Sequence, residues 1–252
     1  MIENISPSRA SQFKLCPQQF KFANIDKIEQ PATDATAKGT TVHEALEKLY
    51  DLPKEERTLD NLVNLFREAW TESRNNEEYS HLFKTLEEER EWGLDALDLL
   101  FNYFNLEDPT EIEPLGREKY LEDNIEDMRM RGILDRMDRN ENGDLVIVDY
   151  KSGKAPAERY KESRFFALKI YALLIYQELG EMPKELKLIY LRNSKIHTIP
   201  FDEEVLEDIR NEILNIWEDI KVAFKTNQFP TQTNPLCDWC SFKSICPAFL
   251  DW

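Results

Sequence analysis

Residues 132–151, GILDRMDRNENGDLVIVDYK, decide the fold because they contain two strand-like runs joined by a polar turn. The first run carries Asp135, and the second ends with Asp149 and Lys151. The turn between them, NENGD, is rich in residues that favour chain reversal. The pattern therefore predicts a hairpin whose neighbouring strands bring two carboxylates and one amine to the same place.

Asp135, Asp149 and Lys151 together have the chemistry of a metal-dependent hydrolytic site. Two carboxylates can hold a hard divalent cation such as Mg²⁺. A nearby ammonium can orient a water molecule or offset negative charge, which completes a minimal set for metal-assisted phosphodiester hydrolysis. The alternative is that all three residues are charged strand ends in solvent. The hairpin context and the Asp-x-Lys spacing favour the site.

Composition indicates a globular chain. Its 252 residues allow one elaborated domain or two small ones, and we expect a single domain over residues 1–252. Hydrophobic residues make up 41% of the chain, which is enough for a core. No apolar run approaches the length of a membrane span, and residues 1–7 lack the features of a secretion signal. We therefore expect a cytoplasmic protein with no membrane contact.

The charge is unevenly distributed along the chain. The formal net charge of −17 is unfavourable for binding a polyanion, which requires Lys and Arg. Residues 54–108 contain fifteen acidic and six basic residues, whereas residues 155–200 contain eight basic and five acidic residues. A local basic surface near the proposed site is thus compatible with the acidic total. The acidic segment is either a solvated helical face or a surface for a basic partner protein.

Hydrophobic periodicity predicts an α/β fold in which a small mixed sheet is flanked by helices. The expected strands cover residues 115–123, 127–139, 144–150, 185–193 and 195–201. The expected helices, besides a short one near the start, cover residues 39–50, 58–75, 79–106, 158–180 and 202–226. The helices within residues 54–108 form a helical insertion. Gly180 is the expected C-cap of the helix over residues 158–180.

The four cysteines indicate a metal site. Three lie in a Cys-x2-Cys-x5-Cys pattern within residues 230–252, and the fourth lies near the start of the chain: Cys237, Cys240, Cys246 and Cys16. Cytosolic proteins seldom use disulfides, so four thiolates favour Zn²⁺ or an iron–sulfur cluster. The alternative is a set of buried free thiols. If Cys16 is the fourth ligand, the site joins the two ends of the chain.

The order of these motifs resembles that of a known family. From start to end the chain contains Cys16-Pro17, Gly39-x-x-x-His43, Gly132-x-x-Asp135-Arg136, Asp149-x-Lys151, an aromatic helix and the late cysteine pattern. This combination resembles the RecB-like branch of the PD-(D/E)XK nucleases, specifically its iron–sulfur members. They include the CRISPR adaptation nuclease and the nuclease domains of recombination helicases.

The resemblance implies a restriction-endonuclease-like core and a role for each motif residue. His43, Asp135, Asp149 and the backbone carbonyl of Tyr150 would bind Mg²⁺ or Mn²⁺. Lys151 would position the attacking water or stabilise developing charge. Glu118 resembles an acidic residue often found ahead of the first catalytic strand, although an exposed strand charge is an equal alternative. The four cysteines would bind a 4Fe-4S cluster.

The resemblance further implies an exonuclease that acts on single-stranded DNA ends in CRISPR adaptation, recombination or repair, with an integrase or helicase as a protein partner. One position departs from the family pattern. Tyr171 matches the tyrosine of the usual Gln-x-x-x-Tyr, but Ala167 stands in place of the glutamine. The alternatives are an inactive accessory subunit that holds DNA ends and, ranked last, a zinc-stapled adaptor protein.

Overall fold

A five-stranded mixed sheet in the order β1-β2-β3-β4-β5 forms the centre of the fold. We describe residues 2–250 of a computed structural model. The strands are β1 (Gly116–Ile125), β2 (Met128–Arg139), β3 (Leu145–Lys151), β4 (Glu185–Tyr190) and β5 (Lys195–Pro200). Neighbouring strands are antiparallel except for β3 and β4, which are parallel. The predicted three-strand meander and the later hairpin are confirmed.

Seven α-helices surround the sheet in the described part of the chain. They are α1 (Pro7–Leu15), α2 (Pro17–Phe20), α3 (Asp34–Leu49), α4 (Leu59–Ser73), α5 (Leu86–Phe104), α6 (Phe166–Leu179) and α7 (Glu203–Thr226). Helix α6 makes the crossover that a parallel pair of strands requires. It ends at Gly180, whose left-handed backbone (φ +67°) confirms the predicted cap.

Three predicted helices were wrong at their N-terminal ends. The helix expected over residues 39–50 begins at Asp34, where the Thr33 side chain caps the amide of Thr36. The helix expected over residues 79–106 begins at Leu86, because Thr85 is extended and its side chain caps the amide of Glu88. The helix expected over residues 158–180 begins at Phe166, after two short 3₁₀ turns. The apolar run of that helix starts only at Phe165, so the charged residues before it lack a face to bury.

The sheet separates two apolar layers. One contains α1, α6 and α7, and the other contains α3, α4 and α5. Strand β3 contributes to both, since Ile147 packs in the first layer while Val146 and Val148 pack in the second. A strand covered on both faces explains the continuous hydrophobic run LVIV in the sequence. Among residues 2–250, no helix combines the length and hydrophobicity needed to cross a bilayer.

The segments near the two ends of the chain lie against each other. The amide of Gln18 donates to the carbonyl of Pro230 at 3.2 Å. The rings of Phe22 and Phe242 pack with centroids 5.4 Å apart. These contacts bring the α2 region and the late cysteine segment together, as a shared cysteine site requires.

Arg136 joins the two antiparallel strands to the second helical layer. Its side chain is 1% exposed and forms ion pairs with two acidic residues, Glu107 and Asp138, that are themselves nearly buried. Its remaining hydrogen bonds go to the hydroxyl groups of three buried tyrosines, Tyr50, Tyr103 and Tyr150. One guanidinium thus fixes the end of α3, the end of α5, and strands β2 and β3.

Arg136→Met is expected to destabilise the protein by about 3–5 kcal/mol, because it leaves buried Asp138 without its ion-pair partner and Glu107 with only a 3.7 Å contact to Lys187. Urea unfolding followed by circular dichroism measures the change. Arg139→Met is the matched control, since Arg139 lies on the same strand but pairs with Glu181 in solvent. Equal midpoints for the two variants would contradict this assignment.

Candidate active site

Three carboxyl groups fall into one row across β1, β2 and β3. Arg117 pairs with Arg136 and Lys119 pairs with Leu134, so Glu118 stands opposite Asp135. On the other side of β2, Arg136 pairs with Val148. One further step of that antiparallel register places Asp149 opposite Asp135. The register therefore assembles Glu118, Asp135 and Asp149 from three neighbouring strands.

The backbone is distorted in this row. Glu118 has φ +40°, a left-handed conformation that is uncommon for a residue with a side chain. Arg117 reaches Asp51 just after α3, whereas Lys119 pairs with Glu178 on α6. In a regular strand, residues two apart share one face. Strand β1 therefore changes faces at Glu118, and strain of this kind is concentrated at functional sites.

Helix α3 brings an imidazole to the row. His43 Nδ1 lies 3.4 Å from Asp135 Oδ2. His43, Glu118 and Asp135 each offer a ligand atom, and these atoms lie within 4.8 Å of one another. They line an open cleft of about 460 Å³. An imidazole and two carboxylates are a suitable donor set for a divalent cation.

Asp149 and Lys151 lie beside this group. Lys151 Nζ is 2.6 Å from Asp149 Oδ2, in an ion pair whose alignment does not make a hydrogen bond. The Tyr150 amide donates to Asp135 Oδ2 at 2.9 Å, which holds the carboxylate against β3. Asp149 does not belong to the group formed by His43, Glu118 and Asp135, whose ligand atoms all lie within 4.8 Å of one another. The ligand set of His43, Asp135, Asp149 and the Tyr150 carbonyl stays a prediction.

Crowding of negative charge shifts the ionisation of these groups. Burial and then repulsion from Asp149 raise the pKa of Asp135 to about 6. Burial raises the pKa of Glu118 to about 7, and the charges of Asp135 and Glu47 add to the rise. Burial lowers the pKa of Lys151, but attraction to Asp149 outweighs it, so the net pKa is raised. The site is a cluster of acids with one firmly charged ammonium.

Tyr171 on α6 approaches the row from the other side of the sheet. A Cβ placed on Gly132 would lie 2.8 Å from the Tyr171 hydroxyl, so the glycine of the motif makes room for this ring. Burial raises the pKa of Tyr171, and the charges of Asp149 and Asp135 raise it further. The ring therefore lies near both carboxylates. Ala167, one turn earlier on α6, has no side chain that can hydrogen bond.

Two acidic residues of the cleft were absent from the predicted site. Glu44 and Glu47 also line it. Glu47 follows His43 by four residues on α3, so helical periodicity places both side chains on one face. The sequence contained this signal, because the position of His43 in the site fixes which other residues of α3 face it.

The four cysteines line a second cavity of about 250 Å³, far from the carboxylate row in sequence and formed by both chain ends. Several aromatic residues also line it: Phe22, Trp239, Phe242 and Phe249. Among the described residues, no three cysteines have sulfur atoms within 4.8 Å of one another. The four cysteines therefore line one cavity without forming a closely spaced set of three sulfurs.

Comparisons with known proteins agree with this architecture. Residues 4–247 match the model of the PD-(D/E)XK nuclease superfamily. The chain is 25% identical over 273 aligned positions to the "Gene 69 protein" of Mycobacterium phage D29, covering 97% of this chain and 96% of that protein. A crystal structure from Eubacterium rectale named "Putative exonuclease" superposes with a TM-score of 0.54 at 12% identity, covering 94% of this chain and 87% of that chain. That last likeness concerns the fold alone.

Binding of Mn²⁺ is expected to weaken as the pH falls from 8 to 6. Both raised pKa values lie in or next to this window, so Glu118 and Asp135 take up protons that a cation must displace. Isothermal titration calorimetry in buffers of different ionisation enthalpy measures affinity and proton release together. Glu118→Gln should release fewer protons, whereas Glu122→Gln, on the same strand but outside the cleft, should behave as wild type. An affinity independent of pH would refute this prediction.

Proposed function

This chain belongs to the PD-(D/E)XK nuclease superfamily, and we propose that it is a divalent-metal-dependent DNA nuclease that degrades single-stranded ends as an exonuclease. One observation carries the proposal. Three neighbouring strands supply Glu118, Asp135 and Asp149 to one row, and Lys151 stands beside it as the charged amine. This arrangement is the set of groups that phosphodiester hydrolysis requires.

The residues fit a divalent cation. The donors are an imidazole and carboxylates, which suit Mg²⁺ or Mn²⁺, and the site places excess negative charge where a cation relieves it. His43, Asp135, Asp149 and the Tyr150 carbonyl would hold the ion, with Glu118 close by. When bound, such an ion supplies Lewis acidity that lowers the pKa of water and offsets charge on a phosphate.

Lys151 acts on the nucleophile and on developing charge. Its side chain is 45% exposed, so a substrate phosphate can reach the ammonium. Its raised pKa keeps it protonated at neutral pH. From this position the ammonium orients the attacking water and stabilises negative charge in the transition state. Tyr171 bounds the site from α6 and contributes a hydroxyl near the carboxylates.

The biological setting is a further part of the proposal. The resemblance to RecB-like nucleases supports a role in CRISPR adaptation, recombination or repair, with an integrase or helicase as partner. The name of the Eubacterium rectale structure supports exonuclease action. The proposed location of the protein is the cytoplasm.

The cysteine cavity supports a 4Fe-4S cluster held by Cys16, Cys237, Cys240 and Cys246. Around one tetrahedral zinc, with bonds of about 2.3 Å, thiolate sulfurs stand about 3.8 Å apart. No three of the described cysteine sulfurs lie within 4.8 Å of one another. In a cluster each thiolate binds a different iron, so a wider spacing around one shared cavity suits it. The cluster would tie the two chain ends together.

Ala167 favours a second candidate function, a catalytically weak or inactive accessory subunit that holds DNA ends for a partner nuclease, integrase or helicase. Without an amide at this position, α6 offers the site only the Tyr171 hydroxyl. The net charge of −17 points in the same direction. Cleavage by the isolated protein with Mg²⁺ or Mn²⁺ distinguishes the two functions.

Lys151→Ala is expected to abolish cleavage while leaving the fold intact, because it removes the charge that stabilises the transition state. The assay uses end-labelled single- and double-stranded DNA with Mg²⁺, Mn²⁺ or EDTA. Lys184→Ala, which removes an exposed ammonium away from the row, is the control and should cut at the wild-type rate. Wild-type cutting by Lys151→Ala would show that the mechanism is wrong.

Cys240→Ala is expected to lower both the iron content and the melting temperature, because structural metal binding contributes directly to folding. The measurements are iron analysis, visible absorbance and thermal unfolding of anaerobically purified protein. Ser244→Ala, an exposed substitution in the same segment, is the control. Unchanged metal content and melting temperature would exclude a four-cysteine site, and zinc in colourless protein would exclude the cluster.

A further inference from the structure

The connection between β3 and α6, residues 152–165, carries a concentration of positive charge. It begins directly after Lys151 and leads into the helix that carries Tyr171, so it borders the candidate active site. It contains four cations, Lys154, Arg159, Lys161 and Arg164, against two acids. The whole chain has a net charge of −17, so a positively charged segment is unusual in it. This segment lies next to the carboxylate row.

Three of these cations are not neutralised by the protein. Lys154, Arg159 and Arg164 are exposed and belong to none of the ion pairs among residues 2–250. Lys161 makes only a 3.5 Å contact with Glu158. A cation without a protein partner is free to neutralise a phosphate, which is the dominant source of affinity for nucleic acids.

The cations continue outward from the active site. Lys151 pairs in register with Tyr190 on β4. Burial raises the pKa of Tyr190, and the charges of Arg164 and Lys151 oppose that rise. Lys151 ends β3, and Arg164 lies two residues before α6, the helix that carries Tyr171. The cations of the connection are therefore anchored at one end by the strand and at the other by the helix that border the active site.

Tyr160 adds an aromatic surface to this connection. Its side chain is 51% exposed, and the Arg159 guanidinium lies over its ring at 4.8 Å. One exposed aromatic residue is ordinary on a protein surface. Here, however, the exposed ring is stacked with a guanidinium and has exposed cations on either side of it in the sequence. Surfaces that bind single strands have this composition, because unpaired bases stack on their aromatic rings.

Both ends of the connection are fixed to the fold. The amide of Ala155 donates to Asn193 Oδ1 at 3.0 Å, and Phe165 is fully buried. The amide of Tyr160 donates to the carbonyl of Ala157 at 2.8 Å, which closes a short turn. Anchoring of this kind reduces the conformational entropy that ligand binding would otherwise cost.

We propose that residues 152–165 form a binding surface for single-stranded nucleic acid, with phosphates on Lys154, Lys161 and Arg164 and a base stacked on Tyr160. This inference rests on the proposed nuclease function, and it assigns the strand path into that site. A duplex keeps its base faces stacked inside the helix, so Tyr160 selects for single strands.

The test is fluorescence anisotropy of labelled oligothymidylate with the full chain and no divalent cation, so that binding is measured without cleavage. Tyr160→Ala should weaken binding roughly tenfold, whereas Tyr160→Phe should bind as wild type because it keeps the stacking face. Tyr120→Ala, which removes a similarly exposed tyrosine from β1, is the matched control. Arg164→Ala should lower the salt slope of binding by about 0.7.

Unchanged affinity of Tyr160→Ala for oligothymidylate would overturn the inference, even if the wild type cleaves DNA and Lys151→Ala does not. An equal loss of affinity for single and double strands would also overturn it. Binding that depends on Tyr160 in a protein that cleaves nothing would remove the nuclease function and leave this surface established. The two proposals therefore fail separately.

Discussion

The buried charge of Arg136 is the constraint on which the rest of the structure depends. A guanidinium that is 1% exposed must be neutralised inside the protein, and Glu107, just after α5, and Asp138, on β2, do so. Its neighbour in sequence is Asp135, and its partner Tyr150 lies next to Asp149 and Lys151. The residues that satisfy the buried charge are thus adjacent to those that form the carboxylate row.

The carboxylate row is assembled at a cost that a cation would relieve. Three acids from neighbouring strands repel one another, and the raised pKa values of Asp135 and Glu118 express that repulsion together with burial. The left-handed backbone at Glu118 adds strain. Hydrogen bonding from the Tyr150 amide and pairing with Lys151 hold the acids in place despite these costs. Charge repulsion, burial and backbone strain at this site therefore lower the stability of the folded protein.

Most of the helices and strands could be predicted from the sequence, because hydrophobic periodicity and turn residues are local signals. Alternation and the turn at residues 140–144 identified β2 and β3, and Gly180 identified the end of α6. The true start of α5 was missed, since the cap at Thr85 competes with an apolar pattern that continues before it. The resemblance assigned Glu118 and His43 to one site, but the strand pattern did not indicate that their ligand atoms lie within 4.8 Å of each other, because this spacing depends on a change of face in β1.

The central claim is that Asp135 and Asp149 hold a divalent cation beside Lys151. Anomalous diffraction from crystals soaked in Mn²⁺ tests it most directly, because the method locates the ion without depending on activity. The account predicts a strong peak at about 2 Å from carboxylate oxygens of both aspartates, within reach of His43. Ordered Mn²⁺ that binds only elsewhere on the protein, or no peak at saturating Mn²⁺, would contradict it.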